Sequence, residues 1–147
     1  MEEIMKVKDC MSKHVIAVGA DEPVLEAARL MSRYDLGALP VRAASGRLCG
    51  MVTDRDVVVR CIAAGKAAAQ TPVSRVMSSS VLSVEPSADA AHAAQLMARA
   101  QLRRLPVAQN GYLTGIVSLA DLAHLPKGAE AAGGCLGAIC APVVRLD

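Results

Sequence analysis

The chain is a tandem duplication, and this constrains its fold more than any other feature of the sequence. At an offset of 66 residues, small, apolar and turn-forming positions of the two halves coincide. The matching pairs are Val15/Val81, Val18/Val84, Ala27/Ala93, Ala28/Ala94, Met31/Met97, Leu36/Leu102, Leu39/Leu105, Pro40/Pro106 and Val41/Val107. One residue is then lost in a turn, and an offset of 65 residues continues the match through Gly46/Gly111, Leu48/Leu113, Gly50/Gly115, Val52/Val117, Thr53/Ser118 and Asp56/Asp121. This period exceeds the roughly 20–50 residues of common solenoid units, so the sequence predicts two paired subdomains related by a pseudo-twofold axis.

Each repeat opens with a predicted strand and helix. Strand-forming runs lie at 15–18 and 81–84, and Asp21 and Ser87 are predicted to cap the helices that follow, because their side-chain oxygens can accept from first-turn N–H groups. Both helices carry apolar residues at i, i+3, i+4 and i+7, which predicts one face turned to a core. The stripe residues are Val24, Ala27, Ala28 and Met31 in the first helix and Ala90, Ala93, Ala94 and Met97 in the second.

A hairpin and a second helix complete each repeat. The predicted hairpins join 36–43 to 48–53 and 102–109 to 112–118, and Asn110-Gly111 favours a type I′ turn. The second helices are predicted from 55 to about 64 and from 121 to about 125, before Pro126. We therefore predict an α/β fold of the α+β type, in which two β-α-β-β-α subdomains pack through their sheets. The predicted boundaries are 7–65 for the first repeat, 66–72 for a linker, 73–127 for the second repeat and 128–147 for an Ala/Gly-rich C-terminal tail.

Composition excludes several classes of protein. Hydrophobic residues make up 53% of the 147 residues, yet there is no Phe or Trp and only two Tyr, so the core must be built from aliphatic residues and Met. A net charge of +2 without a basic block gives no argument for nucleic acid binding. No apolar run of about 18 residues occurs, and Glu2, Glu3 and Lys6 make the N-terminus unlike a secretion signal. The expected location is the cytoplasm, with leaderless export as an open alternative.

The cysteines and histidines offer weaker candidates for chemistry. Five cysteines, an odd number, fit reduced thiols better than a disulfide framework. Cys10 and His14 could share a metal, but the compact tetrahedral ligand set of a zinc site is missing. Cys135 and Cys140 could form a redox pair. No Ser/His/Asp or Cys/His/Asp arrangement is recognisable, so we predict a protein that is not an enzyme.

The most informative motif is the sequence GMVTDRD at 50–56, echoed by GIVSLAD at 115–121. A hydroxyl, Thr53 or Ser118, ends a strand, and a carboxylate, Asp56 or Asp121, follows three residues later in the first turn of a helix. One interpretation is a capping box that satisfies the helix terminus. The other is a nucleotide site, in which the carboxylate accepts from ribose hydroxyls and the helix N-terminus, with Arg55, favours phosphate.

With both motifs in view, the sequence resembles a tandem pair of cystathionine-β-synthase (CBS) domains. The resemblance covers about residues 7–127 and rests on Leu-Pro-Val at 39–41 and 105–107, and on Gly-x-Val-[Thr/Ser]-x-x-Asp in both repeats. Within the family, the compact form is most similar to stand-alone members from mycobacteria and other actinobacteria.

The resemblance implies two clefts between the repeats that bind an adenosine-containing ligand: AMP, ADP, ATP or S-adenosylmethionine. It places Asp56 and Asp121 on ribose hydroxyls and Thr53 and Ser118 near ribose or phosphate. Further ligand-binding candidates are Asp54, then Arg55 and Arg104 for the phosphate, and Val15, Ala17, Leu39, Pro40, Val81, Ser83, Leu105 and Pro106 for the adenine pockets. No cofactor is expected to be required.

The second repeat departs from the fuller pattern, because Leu119-Ala120 stands where the first has Asp54-Arg55. Its site is expected to bind more weakly, to take an uncharged nucleoside, or to stay empty. We expect a homodimer that acts on a protein target as an energy or stress sensor, with no membrane or nucleic acid partner. Two alternatives stay open: a redox- or metal-responsive stress protein, and a structural dimer without a ligand.

Overall fold

A computed structural model describes residues 5–123, which form two compact units. The repeat-1 unit contains residues 15–81 together with 110–113, and the repeat-2 unit contains residues 5–14, 82–109 and 114–123. Each unit therefore includes a segment from outside its own repeat. The predicted C-terminal tail, with Cys135 and Cys140, lies outside the described residues.

The repeat-1 unit is a three-stranded sheet with helices packed on it. Its elements are β1 (Val18–Gly19), α1 (Val24–Tyr34), β2 (Ala38–Arg42), β3 (Leu48–Thr53) and α2 (Asp54–Asp56), which continues as a π-helix over Val57–Ile62. The strand order is β1-β2-β3, with β1 parallel and β3 antiparallel to β2. Its core is wholly aliphatic and sulfur-containing, as composition requires: Val18, Val24, Ala27, Met31, Leu39, Val41, Val52, Cys61, Val73 and Val76.

The repeat-2 unit repeats this order with a two-stranded sheet. Its elements are α3 (Ala90–Ala100), β4 (Arg104–Gln109), the part of β5 (Tyr112–Ser118) from Thr114 onward, and α4 (Leu119–Ala123). The core consists of Val7, Val84, Ala90, Ala93, Ala94, Met97, Leu105, Val107, Val117, Leu119 and Leu122. No helix within residues 5–123 is long and apolar enough to cross a bilayer.

The predicted helix stripes and hairpins are confirmed. Seven of the eight stripe positions are buried, and Ala28 is half-buried. The second hairpin turns at Asn110 and Gly111, whose φ angles of 53° and 86° are those of a type I′ turn.

The predicted N-caps are wrong. The capping positions are Pro23 and Asp89, two residues later than Asp21 and Ser87, and neither makes a side-chain cap. Carbonyls from distant segments instead accept from first-turn N–H groups: the Val24 N–H donates to Thr71 O at 2.8 Å, the Leu25 N–H donates to Ala68 O at 3.0 Å, and the Ala90 N–H donates to Met5 O at 2.8 Å. Because these donors are already satisfied by tertiary contacts, no local side-chain acceptor is needed.

The first strands are shorter than predicted. In the repeat-1 unit only Val18–Gly19 is strand, and in the repeat-2 unit the pairing is reduced to a single bridge between Val84 and Val107. In the first unit the Ala20 N–H extends the pairing by donating to Arg42 O at 3.0 Å. The corresponding residue of the second unit is Pro86, which has no N–H to donate.

Candidate functional site

Both hydroxyl–carboxylate motifs form reciprocal capping boxes at a strand–helix junction. At the end of β3, the Thr53 N–H donates to Asp56 Oδ2 at 2.9 Å and the Asp56 N–H donates to Thr53 Oγ1 at 3.0 Å. At the end of β5, the Ser118 N–H donates to Asp121 Oδ2 at 2.9 Å and the Asp121 N–H donates to Ser118 Oγ at 3.1 Å. The capping interpretation of the motif is thus confirmed as geometry.

Capping leaves the first carboxylate with capacity for a second role. Oδ2 of Asp56 is used by the box, while Oδ1 lies 3.8 Å from Arg60 Nε, and the side chain is 16% exposed. Each carboxylate oxygen has two acceptor sites, so Oδ1 can still receive ligand hydroxyls. Sequence analysis did not single out Arg60, although its i,i+4 spacing from Asp56 indicates the pair.

Strand register brings three of the predicted site segments of the repeat-1 unit to one edge of the sheet. Thr53 pairs with Ala38 at the start of β2, and Val18 pairs in parallel with Val41 near the end of β2. The chain before Val18, which holds Val15 and Ala17, therefore runs beside the start of β2. The Asp54 N–H donates to Gly37 O at 2.9 Å and ties the helix start to the same edge.

The repeat-2 unit has the same arrangement. Its parallel bridge joins Val84 to Val107, and the Leu119 N–H donates to Arg103 O at 3.0 Å, as Asp54 does to Gly37. Arg104, at the start of β4, thus lies next to the Ser118 box and is exposed. Ser83, in the segment that precedes the bridge, is half-buried, as is Val81, which is the last residue of the 15–81 range of the repeat-1 unit.

The leucines of the two Leu-Pro-Val motifs are core residues. Leu39 and Leu105 are both 0% exposed and belong to the two hydrophobic cores. Pro40 and Pro106, which follow them, are also buried. The two leucine side chains therefore have no exposed surface to offer a ligand, whereas Val15 and Ala17 are half-buried.

The two sites differ in charge, as the sequence predicts. Asp54 and Arg55 are exposed at the start of α2, and the Arg55 N–H donates to Asp54 Oδ1 at 2.8 Å. In the second unit Leu119 is 8% exposed and packs in the core. The repeat-2 site thus has an apolar side chain turned inward where the repeat-1 site presents a carboxylate and a guanidinium.

A concavity of about 410 Å³ in the repeat-1 unit lies away from the capping box. It is lined by Ala17, Val18, Gly19, Ala20, Asp21, Glu22, Arg42, Ala43 and Ala44. These residues surround the carboxyl ends of β1 and β2, whereas Thr53 pairs with the start of β2. Of the predicted ligand-binding residues, only Ala17 borders this concavity.

The described residues do not assemble a metal site. Within residues 5–123 no group of three or more His, Cys, Asp or Glu side chains could hold an ion. The Cys10 thiol contacts Val7 O at 3.5 Å, and the His14 N–H donates to Ser12 Oγ at 3.2 Å.

Two thiols have a raised pKa. Burial raises the pKa of Cys10 above the ordinary 9.0, and the negative charges of Asp121 and Asp9 raise it further. Burial followed by Asp21 likewise raises the pKa of Cys49. Because the thiolate is the nucleophile, both cysteines are less reactive at neutral pH than an unperturbed thiol.

Alkylation of these thiols is expected to need alkaline conditions. A raised pKa lowers the thiolate fraction at any given pH, so the rate of Cys10 and Cys49 modification by iodoacetamide should reach half its maximum above pH 9.0. Peptide mapping by mass spectrometry across a pH series measures each site. The chain unfolded in urea is the control, and a folded-state midpoint below that of the unfolded chain would contradict the expectation.

Comparison with known proteins gives a consistent result. The family model described as "CBS domain" matches residues 7–62 and again 73–128. The CBS domain-containing protein YhcV of Bacillus subtilis is 45% identical over 130 residues, covering 88% of this chain and 91% of YhcV. Hypoxic response protein 1 of Mycobacterium tuberculosis is 36% identical over 137 residues, covering 92% of this chain and 94% of that protein. The predicted fold class and the resemblance to stand-alone actinobacterial members are confirmed.

Two solved structures extend the comparison. A crystal structure of Hypoxic Response Protein I with two coordinated zinc ions superposes with a TM-score of 0.75 at 36% identity, covering 83% of this chain and all of that one. CBSX2 in complex with AMP superposes with a TM-score of 0.72 at 25% identity, covering 86% of this chain and 98% of that one.

Proposed function

Because the chain belongs to the CBS-domain family and carries two of its domains in tandem, we propose that it is a non-catalytic regulatory module that binds an adenosine-type nucleotide. The observation that carries the proposal is the Thr53–Asp56 box, in which Asp56 keeps Oδ1 for a ligand while Oδ2 caps the helix. CBSX2, of the same fold, was solved with AMP.

The proposed ligand contacts follow from the edge at which the site segments meet. Asp56 accepts from the ribose hydroxyls, and Thr53 lies beside the ribose. The half-buried segment with Val15 and Ala17 forms a wall for adenine. Exposed Arg55, in the first turn after the box, meets a phosphate.

In the second repeat, Asp121 and Ser118 take the corresponding roles, with Val81 and Ser83 on the adenine side. Arg104, exposed beside the box, is the proposed phosphate contact. With Leu119 in the core and no counterpart of Arg55, this site binds a phosphorylated ligand more weakly than the first.

Regulation requires that the ligand prefer one conformation of the module. A ligand with equal affinity for two conformations shifts neither population. The proposed sensor therefore responds to AMP, ADP, ATP or S-adenosylmethionine only if that ligand binds one conformation more tightly than the other. A protein target then binds the favoured conformation.

Isothermal titration calorimetry of the full chain with AMP, ATP and S-adenosylmethionine tests the proposal. Saturable binding of at least one nucleotide supports it. Absence of heat and of any thermal stabilisation with all three at millimolar concentration contradicts it, since a ligand at 100 times its Kd stabilises by about 2.7 kcal/mol.

We also propose that the module is a homodimer, formed through the π-helix of the repeat-1 unit. Val58, Val59 and Ile62 are 58%, 47% and 59% exposed on this one helix. An apolar helix face can cover itself through a twofold contact with the same face of a second copy. Arg60 lies between Val59 and Ile62 in the sequence. Its Nη1 donates to Val76 O at 3.3 Å and to Met77 O at 3.4 Å.

The Ile62→Asp chain is expected to dissociate at least tenfold more readily than the parent chain, because a carboxylate would be buried in an apolar contact. Light scattering coupled to size-exclusion chromatography over a dilution series measures the dimer. Leu82→Asp, at an exposed leucine outside this helix, is the matched control and should leave the dimer intact. Equal dimer dissociation of both variants would show that the π-helix does not form the interface.

A zinc-responsive function is the second candidate, because Hypoxic Response Protein I was solved with two coordinated zinc ions. The donors within residues 5–123 do not form such a site, since no group of three ligands lies together there. Elemental analysis of the purified protein decides between them, since stoichiometric zinc without nucleotide binding would favour this alternative.

A further inference from the structure

The two units bind a short segment of chain in the same way, although the segment reaches each unit by a different route. We name residues 5–12 the N-terminal strap and residues 71–78 the linker strap. The N-terminal strap packs in the repeat-2 unit, and the linker strap packs in the repeat-1 unit. Each contains a 3₁₀ turn, Val7–Asp9 and Val73–Arg75, that buries its first valine completely.

The N-terminal strap is fixed mainly by backbone hydrogen bonds. The Val7 N–H donates to Ala88 O at 2.8 Å and the Lys8 N–H to Pro86 O at 2.9 Å. Farther along, Ser12 and Ile116 exchange two hydrogen bonds of 2.8 and 2.9 Å.

The linker strap makes the equivalent bonds at the equivalent positions. The Val73 N–H donates to Glu22 O at 2.8 Å and the Ser74 N–H to Ala20 O at 3.0 Å. Ser78 and Met51 exchange two hydrogen bonds of 2.8 and 2.9 Å.

The methionines of the two straps also repeat their contacts. The Met11 sulfur lies against Gly115, and the Met77 sulfur lies against Gly50. At both glycines a Cβ would come within 3.0 Å of the methionine sulfur and of the strap's serine carbonyl. The straps are therefore two copies of one docking element.

The way in which a strap is connected to its unit along the chain does not determine this docking. In the repeat-2 unit the strap precedes its sheet and helices in the sequence, whereas in the repeat-1 unit it follows most of them. The same contacts form in both cases, so they need the strap's sequence and not a particular covalent link.

We propose that the N-terminal strap also docks in trans, on the repeat-2 unit of a second copy of this chain, so that two copies can exchange straps. An exchanged pair keeps every strap contact and changes only the hinge. The hinge residues Lys13 and His14 are exposed and lie in neither a helix nor a strand. Tethering favours the unexchanged form at low concentration, so exchange should appear at millimolar concentration or after joint refolding.

One ion pair directs the strap to its own type of unit. Lys6 Nζ lies 2.9 Å from Asp89 Oδ1, and both side chains are partly exposed. At the equivalent positions the linker strap and its unit have Pro72 and Pro23, which carry no charge. The exchanged strap is therefore expected to select the repeat-2 unit.

Charge reversal at this pair tests the proposal in the full chain. The Lys6→Glu chain and the Asp89→Lys chain each have like charges at the pair when unexchanged. When the two are mixed, an exchanged heterodimer restores opposite charges in both arms. One chain is labelled with ¹⁵N, the mixture is unfolded and refolded at high concentration, and native mass spectrometry counts mixed and unmixed dimers.

Mixed dimers of the two single variants are expected in about fivefold excess over the statistical share, since the two partly exposed charge pairs of each dimer contribute modestly. The control is the parent chain mixed with the Lys6→Glu/Asp89→Lys double variant, in which exchange would create like charges. That mixture should fall below the statistical share. Statistical mixing in both experiments would overturn the proposal, whether or not the chain dimerises through another surface.

Discussion

The Asp56→Ala chain is expected to bind AMP about 10- to 100-fold more weakly than the parent chain. The carboxylate is proposed to hold ribose hydroxyls through charge-assisted hydrogen bonds, whose loss costs about 1.5–3 kcal/mol. Calorimetry at a temperature well below unfolding gives the two Kd values. Asp121→Ala should change the affinity less, because the second site lacks a counterpart of Arg55.

The capping role of Asp56 makes a second outcome distinguishable. If Asp56 only closes the box with Thr53, the variant should lose about 0.5–2 kcal/mol of stability while its affinity for AMP stays that of the parent. Asp21→Ala is the matched control, since Asp21 is an exposed carboxylate of the same unit and is not one of the proposed ligand contacts. Binding that survives both Asp56→Ala and Asp121→Ala would remove these carboxylates from the proposed site.

The Gly50→Ala chain is expected to be less stable than the parent by about 1–3 kcal/mol, the usual cost of overpacking. An added Cβ would lie 2.5 Å from the Met77 sulfur and 2.8 Å from Ser78 O. The sulfur ends a flexible side chain and can move, but Ser78 O is bonded to the Met51 N–H at 2.9 Å. The linker strap must therefore shift as a whole.

Urea denaturation of the two chains measures this loss. Gly37→Ala is the matched control, because its Cβ would meet only the Asp54 side chain, with Oδ2 at 3.5 Å and Cγ at 3.9 Å, which are ordinary contacts. Its stability should match or slightly exceed that of the parent, since alanine restricts the unfolded chain more than glycine. A Gly50→Ala chain as stable as Gly37→Ala would show that the strap does not pack closely on this glycine.

The role of Gly50 could not be predicted from the sequence. The match of Gly50 with Gly115 indicates that both positions matter, but the local pattern does not show why a glycine lies in the middle of the predicted strand 48–53. Its role is to admit a methionine from a segment 27 residues farther along the chain. That contact has no signature in the local pattern.

The predicted N-caps of α1 and α3 are wrong for the same reason. Asp21 and Ser87 have good capping chemistry, yet the helices begin two residues later, where Thr71 O and Met5 O accept from the first N–H groups. The capping preference of a nearby side chain does not decide where a helix begins when a distant carbonyl already accepts from its first N–H group.

Spacings between neighbouring residues are enough to predict two helix stripes, two hairpins with their turn, and two Thr/Ser–Asp boxes with unequal charge. Each of these features rests on a spacing of four residues or fewer, or on the repeat itself. Three features are visible only in the folded chain: which segment completes each unit, which distant carbonyls accept from the first N–H groups of the helices, and that Leu39 and Leu105 are core residues. These depend on pairing between residues far apart in the chain, and the straps that make those pairings look like ordinary connecting segments until they are docked.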